Sequence, residues 1–429
     1  MSRAIHPSSN ESALEELSFF GAPCTQSSVE FNHEYAIKPA APIHVSADIL
    51  DFRISSEAGL YLDPRSIHIL LEVQVVDDKG QAIADDAPVA PVNNFSHSLF
   101  QQEDVTINGH RISQPMKTYA YKAYYHTLFG YSPEAKENFL SCVLWAKDKD
   151  MSKPNMDRWP CKRSESFQVI VPLMSDIFMQ PLYLPSNVNV EIKLYRSSRS
   201  FALHSTDTIK YGVNILDATL FYTKYKLEDV LFQSHLSTFK RGGTAKYPIS
   251  YTEVKPIPIN SGMSSVSIDN AYHGELPYQL VVAMVDEKAV NGDIGSNPFE
   301  FKHNNISNIS ITYNGRVYPG IPYRTNFEKQ GHNMKAFYDM FKNSGQLRDN
   351  NPELAVNRAD FRLGNCFFAF NFSADRSDAS SGHMDLLKRG NARIDLEFGK
   401  KLENAIVLMM WAENNRLPEF DAFGNLISF

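Results

Sequence analysis

Between residues 66 and 76 the chain reads SIHILLEVQVV, and every second position is apolar: Ile67, Ile69, Leu71, Val73 and Val75. A two-residue period places those side chains on one face of a β-strand. DDKG (77–80) then supplies a turn that uses the positive-φ tolerance of Gly80. Strands are expected again in VTINGHRI (105–112), where Asn108-Gly109 is the strongest short hairpin signal, and over 166–173, 187–195 and 215–226. Two stretches change period. YAYKAYYHTLF (119–129) sets Tyr121, Tyr124, Tyr125, Leu128 and Phe129 at i, i+3, i+4, i+7 and i+8, which predicts an amphipathic helix with its aromatic face against a sheet. A second helix is expected from Ser132-Pro133, as cap and first residue, to about Trp145.

Residues 1–40 are poorly patterned and read as an arm. They hold one short helix candidate, ESALEELSFF (11–20), with Leu14, Leu17 and Phe20 on one face. KLEDVLFQSHLSTFKRGG (226–243) predicts a short helix ending at Gly242-Gly243 and marks the midpoint. Strand patterns resume at 264–269, 278–286, 306–318, 365–373, 392–398 and 404–413. The second half repeats the first. ITYNGRVY (311–318) answers VTINGHRI, with the Asn-Gly pairs 206 positions apart, and KAFY (335–338) answers KAYY (122–125) at an offset of 213. VEIKL (190–194) and IDLEF (394–398) match at 204, and a closing apolar strand follows each. Such a repeat is too long for a solenoid, whose units run about 20–50 residues. Two similar β-domains of roughly 190–200 residues are implied, and an eight-stranded jelly roll suits the strand count. The expected fold is all-β: a 1–40 arm, jelly roll 1 over 41–235 and jelly roll 2 over 236–429, with short inserted helices.

Composition narrows the function more than it names it. The 429 residues are 43% hydrophobic and 21% charged, which suits a folded protein of two or three domains. A net charge of −7 argues against a sequence-independent nucleic-acid binder. Cys24, Cys142, Cys161 and Cys366 form no C-x-x-C, so neither a disulfide framework nor a zinc site is indicated. The N-terminus lacks the apolar core of a signal peptide, and the run near AIVLMMWA (405–412) is too short to span a bilayer, so no transmembrane segment and a reducing, intracellular site of synthesis are expected. The N-x-S/T sequons at Asn10, Asn94, Asn305, Asn308 and Asn371 then read as chance matches. Catalytic motifs are absent: no H-E-x-x-H, G-x-S-x-G, P-loop or G-x-G-x-x-G occurs. His68 and His110 have no ligand-spaced partners, and Asp77-Asp78 and Asp85-Asp86 lack the spaced oxygens of a calcium loop. A cupin-type enzyme would need paired His on alternate strand positions, which no strand offers. No catalytic, cofactor-binding or metal-ligating residue is therefore assigned and no cofactor is expected. The reading is structural or binding, not enzymatic.

Against that background, NNFSHSLFQQEDVTINGHRIS (93–113), the following YAYKAYYHTLFGYSPEAKENFLSCVLWAKD (119–148) and LPSNVNVEIKLYRS (184–197) resemble the double jelly-roll capsid proteins of Polinton/Maverick-like and adintovirus-like DNA viruses, whose relatives also occur in animal genomes. The resemblance covers about 40–235 and continues more thinly through RGNARIDLEF (389–398). It implies a major capsid protein with both rolls upright on the shell and no catalytic residues. Three chains would make a pseudo-hexagonal tile of an icosahedral lattice. The implied partners are two further copies in a homotrimer, neighbouring capsomers, and vertex (penton) and minor capsid proteins met through the N-terminal arm. No sequence-specific nucleic-acid contact is implied, and the location is the virion capsid. Two alternatives stand beside it: a carbohydrate-binding attachment β-sandwich, and a domesticated host copy of the capsid gene.

Overall fold

The structure, a computed structural model, describes residues 6–43, 48–207, 209–329, 332–347, 353–374 and 383–428. The first half supplies β1 (Val29–Ile37), β2 (Ile49–Ile54), β3 (Leu60–Asp77), β4 (Phe100–Ile107), β5 (His110–Arg111), β6 (Phe167–Pro172), β7 (Val190–Arg196) and β8 (Tyr211–Leu227). The second supplies β9 (Ile249–Ile259), β10 (Ser265–Leu276), β11 (Gln279–Asp286), β12 (Ile306–Tyr313), β13 (Arg316–Arg324), β14 (Phe368–Asn371), β15 (Lys388–Phe398) and β16 (Ile406–Arg416).

Strands pair antiparallel in the orders β1-β8-β3-β6 and β2-β7-β4-β5, then β9-β16-β11-β14 and β10-β15-β12-β13. Adding eight to each label turns one half into the other. Two four-stranded sheets in these orders make a jelly roll, so the chain is two jelly rolls in tandem. The period read in the sequence sets their cores: Ile67, Ile69, Leu71, Val73 and Val75 of β3 all lie inside roll 1, while His68, Leu70, Glu72 and Gln74 point outward and stay half-buried.

The repeated Asn-Gly pairs do the same work twice. Asn108 and Gly109 take φ of 45° and 85°, and Asn314 and Gly315 take 49° and 79°. Two consecutive positive-φ residues turn a hairpin with the right-handed twist that its strands need, and Asn and Gly reach that region at least cost. The Asn108 amide donates to the Asn189 carbonyl at 3.0 Å and the Asn314 amide to the Asn391 carbonyl at 2.9 Å. Each turn is thus pinned to the neighbouring strand's Asn.

Four expectations need correction. The 1–40 arm is not wholly irregular: β1 lies inside it, an edge strand with side chains mostly exposed, so no apolar alternation announced it. β9 was hidden by Pro256 and Pro258. Prolines are tolerated there because β9 is an edge strand with β16 as its one partner in the sheet. The helix expected over 11–20 is a single 3-10 turn, Glu15–Leu17, with no buried residue to hold it; a turn this short is marginal without packing. The helix expected to run from Pro133 to Trp145 breaks into Pro133–Glu137 and a 3-10 segment, Phe139–Val143. Its start is as expected, with the Ser132 hydroxyl accepting from the Ala135 amide at 3.2 Å.

Candidate assembly interface

The helix α1 (Tyr119–Gly130) sits between β5 and β6 of roll 1. Its stripe is buried as the period predicts, but much of the aromatic face lies against the other roll. Tyr121, Tyr124, Tyr125, Leu128 and Phe129 belong to the hydrophobic core of roll 2, while Tyr119 and Ala123 face the core of roll 1. Tyr124 stacks on Phe299 with centroids 4.4 Å apart, Tyr125 on Trp411 at 5.7 Å, and Phe129 meets Phe367 edge-on at 5.5 Å. Such pairs add about 0.5–1.5 kcal/mol each beyond area burial. Polar ends find partners across the same seam. The Tyr125 hydroxyl donates to Glu413 Oε1 at 2.7 Å, and the Trp411 indole donates to the Tyr121 carbonyl at 3.0 Å. Burial first, and Glu413 second, hold the Tyr125 phenol well above its ordinary range.

The exchange runs both ways. Tyr247, Ile249 and Phe420 of the second half pack in the core of roll 1. Asn108 at the first hairpin tip donates its side-chain amide to the Gly424 carbonyl at 2.8 Å, tying the end of roll 2 to the repeated motif of roll 1. The rolls are therefore clasped, and the clasp is apolar at its centre.

Polar groups lie beside it. Lys122 of α1 donates to Asp176 at 2.6 Å, and the Asp176 carboxylate also accepts the Thr252 amide at 3.3 Å. Both charged side chains are nearly inaccessible, so removing one would strand the other. Glu103 of β4 is enclosed nearby, and burial pushes its carboxyl up to about 8. Its Oε1 has no hydrogen-bond partner among the described residues. A folded value above the unfolded value of 4.5 means that the unfolded chain releases a proton the fold retains. Stability from this group is full below pH 4.5 and is lost as the pH rises toward 8. Glu103→Gln is therefore expected to raise stability by on the order of 4 kcal/mol at pH 8, with the gain nearly gone by pH 4.5. Urea midpoints across that range measure it, and a pH-independent difference would mean that Glu103 is ionised in the fold. His97 and His126 run the other way. Burial takes both imidazoles down to about 3, aided at His126 by Lys122, so their contribution is full above pH 6.5 and falls as the pH drops.

The second roll carries the counterpart of α1. With α2 (Asp229–Lys240) as the connector between the halves, α3 (Met334–Asn343) lies between β13 and β14. Ala336 and Met340 pack inward on its own roll, as does Asp339, which accepts from Tyr323 at 2.9 Å. At the offset of 213, Met334, Phe337, Tyr338 and Phe341 answer Tyr121, Tyr124, Tyr125 and Leu128. In α3 two of these stay open, Met334 and Tyr338 at 43% and 49% exposure, while Phe337 and Phe341 are half-buried against the core of their own roll. The sheets show the same asymmetry. β11 is buried at every position, and α1 packs on its partner β16 through Tyr125 and Trp411, whereas β3 alternates between buried and half-buried positions.

The residues weighed as possible sites are ordinary. His68 stacks on Phe221 and His110 is exposed. Asp77 accepts the Lys79 and Gln81 amides of its own turn, and Asp85 accepts from Ser164. Among the described residues no group of three or more His, Cys, Asp or Glu could hold a metal ion, and no helix is long and apolar enough to cross a membrane.

No family model matches the chain. An uncharacterized protein of Caenorhabditis elegans is 22% identical over 389 residues, 88% of this chain and 92% of that protein. Among solved structures, a chain of the Sputnik virophage superposes with a TM-score of 0.68 at 11% identity, covering 100% of this chain and 94% of that one. The Faustovirus major capsid protein gives 0.57 at 9%, covering 92% of each chain. The mavirus major capsid protein gives 0.53 at 10%, covering 100% and 97%. With two four-stranded sheets per half in the jelly-roll order among the described residues, and these likenesses end to end, the chain has a double jelly-roll fold, the fold it shares with virus major capsid proteins.

Proposed function

We propose that the chain is a major capsid protein of an icosahedral double-stranded DNA virus or virus-like element, and that three copies close into a pseudo-hexagonal capsomer. The observation that carries this is the doubled roll with one clasp made and one left open. Inside the chain, α1 of roll 1 covers the β9-β16-β11-β14 sheet of roll 2. The equivalent helix, α3, and the equivalent sheet, β1-β8-β3-β6, each keep apolar side chains part-exposed, among them Leu70, Ile170 and Phe221 on the sheet. A second copy that repeats the inner contact covers both. Such a head-to-tail contact either closes or polymerises. Closure at six rolls is three chains.

The two rolls then correspond to residues 41–235 and 236–429, with the first reaching back through β1. Kinship with Polinton/Maverick-like and adintovirus-like elements is supported by the run at 93–113 and 119–148. On this reading the protein resides in the virion shell, meets neighbouring capsomers at its sides, and engages vertex and minor capsid proteins through its arm. The likeness to a nematode protein favours a second reading, in which a copy of the capsid gene is carried in an animal genome. Particles that contain this chain together with packaged DNA would separate the first reading from the second.

The test is solution mass. Light scattering of the purified protein is expected to give three times 48.5 kDa, with hexagonal outlines in negative stain. A monomer that persists at high concentration would overturn the capsomer.

A further inference from the structure

The arm and the connector helix each leave apolar surface uncovered, and the two sets fit one another. Every described residue from His6 to Ser28 is exposed. Within seven positions the arm nonetheless carries Leu14, Leu17, Phe19 and Phe20, at 69%, 62%, 71% and 93% exposure. Burying side chains of this kind is worth about 1.5–3 kcal/mol each, so the segment is built to be covered. The same stretch, residues 11–20, bears Glu11, Glu15 and Glu16 and no basic residue.

Where the arm joins the fold it is fixed. The Gln26 side chain accepts the Ser28 and Val29 amides, and the Ser28 carbonyl accepts the Glu228 amide at 3.0 Å, just ahead of α2. Ser28 and Val29 form one edge of a cavity of about 470 Å³ beneath α2. Leu182, Leu231, Phe239, Ala245 and Tyr247 line it with apolar surface. The polar groups in its wall are already engaged: Tyr61 with His235 at 2.9 Å, and the Tyr247 hydroxyl with the Tyr183 carbonyl at 2.9 Å. No residue of α2 itself is buried, although Leu231, Phe232, Leu236 and Phe239 make an apolar stripe along it. Beside Phe239, Lys240 and Arg241 are exposed and form no ion pair among the described residues.

We infer that this cavity receives residues 14–20 of the arm of a second copy, with the aromatic pair and Leu17 inside and Glu15 and Glu16 toward Lys240 and Arg241. The chain's own segment stands clear of its cavity. Seven residues lie between Phe20 and Ser28, and the eight steps give a reach of roughly 26–29 Å when extended. Because arm and cavity sit at the same corner of the fold, every copy gives one arm and takes one, and exchange of identical elements needs no new surface. The inference rests on the chain associating with copies of itself; it adds a contact separate from the helix–sheet clasp.

The experiment uses full-length protein with Cys24→Ser as background. One preparation carries Phe20→Cys, the other Leu182→Cys at the cavity rim, and the two are mixed and oxidised. A disulfide-linked species of two chains is expected in the mixture and in neither preparation alone. Leu17→Asp in the arm chain is expected to cut the linked fraction at least about tenfold, the loss of one buried apolar contact. Leu17 is exposed, so this change leaves the fold intact, and Leu231→Asp in the receiving chain is expected to act alike. A link that forms only when both cysteines share one chain, or a mixture that does not link, overturns the inference. Scattering on the same samples keeps the two readings apart: a trimer without the link fails the arm contact alone, and a monomer that links fails the trimer alone.

Discussion

A chain carrying Met334→Glu and Tyr338→Glu is expected to fold normally and to run at the mass of one chain. Both side chains lie on the open face of α3 and are 43% and 49% exposed, so the substitutions cost the isolated chain little, within about 0.5 kcal/mol each. In the closed ring the same positions would meet an apolar sheet, as Tyr121 and Tyr125 meet roll 2 inside the chain. Two carboxylates held there without partners cost several kcal/mol at each of the three contacts. Ring closure multiplies the loss, since no copy can avoid it. Light scattering and circular dichroism read the outcome together: a β-rich monomer is the expected result. A stable trimer from this variant would mean that α3 is not the contact. Tyr338→Phe is the control and is expected to leave the trimer intact.

Truncation of Trp411 to Ala is expected to destabilise the chain by about 3–5 kcal/mol, the range for large aromatics removed from a packed core. Trp411 is fully buried and touches Tyr125, Phe301 and Phe367, and its indole satisfies the Tyr121 carbonyl. Alanine leaves both a hole and an unpaired carbonyl at the seam between the rolls. The damage is expected to be uneven. Amides of α1 should exchange faster than those of β3, because α1 loses its bed and β3 does not. Trp411→Phe keeps a ring and loses the donor, so a cost nearer 1–3 kcal/mol is expected. Urea unfolding measures both, and a loss under about 1 kcal/mol for Trp411→Ala would show that the clasp is held elsewhere.

Much of this fold was legible locally. β3 alternates because its inner face is a core and its outer face is not, and a period of two reports that directly. The Asn-Gly turns were legible because few residue pairs accept two successive positive φ values. The order of strands, turn and aromatic helix was legible as a repeat, and the sheet orders of the two halves match strand for strand. What escaped were elements whose stability comes from a neighbour. β1 and β9 are edge strands; one shows exposed side chains and the other two prolines, and each exists because β8 or β16 offers an unpaired ladder. The helix expected over 11–20 failed for the converse reason, since none of its residues is buried against the described parts of the chain.

The assembly surface was half legible. YAYKAYYHTLF and NMKAFYDMF carry the same stripe, and nothing in either period says that one is covered inside the chain and the other is left part-open. The patterned strands, the Asn-Gly turns, the two rolls and the need of each aromatic face for a cover are written in local residue order. The identity of the cover is set by long-range packing: roll 2 for α1 and, among the described residues, no second roll for α3. The reason is physical: amphipathic periodicity is set by neighbours within two turns, whereas apolar burial has no direction of its own. A stripe records that a face must leave water, and the long-range packing of the rolls alone selects the surface it meets.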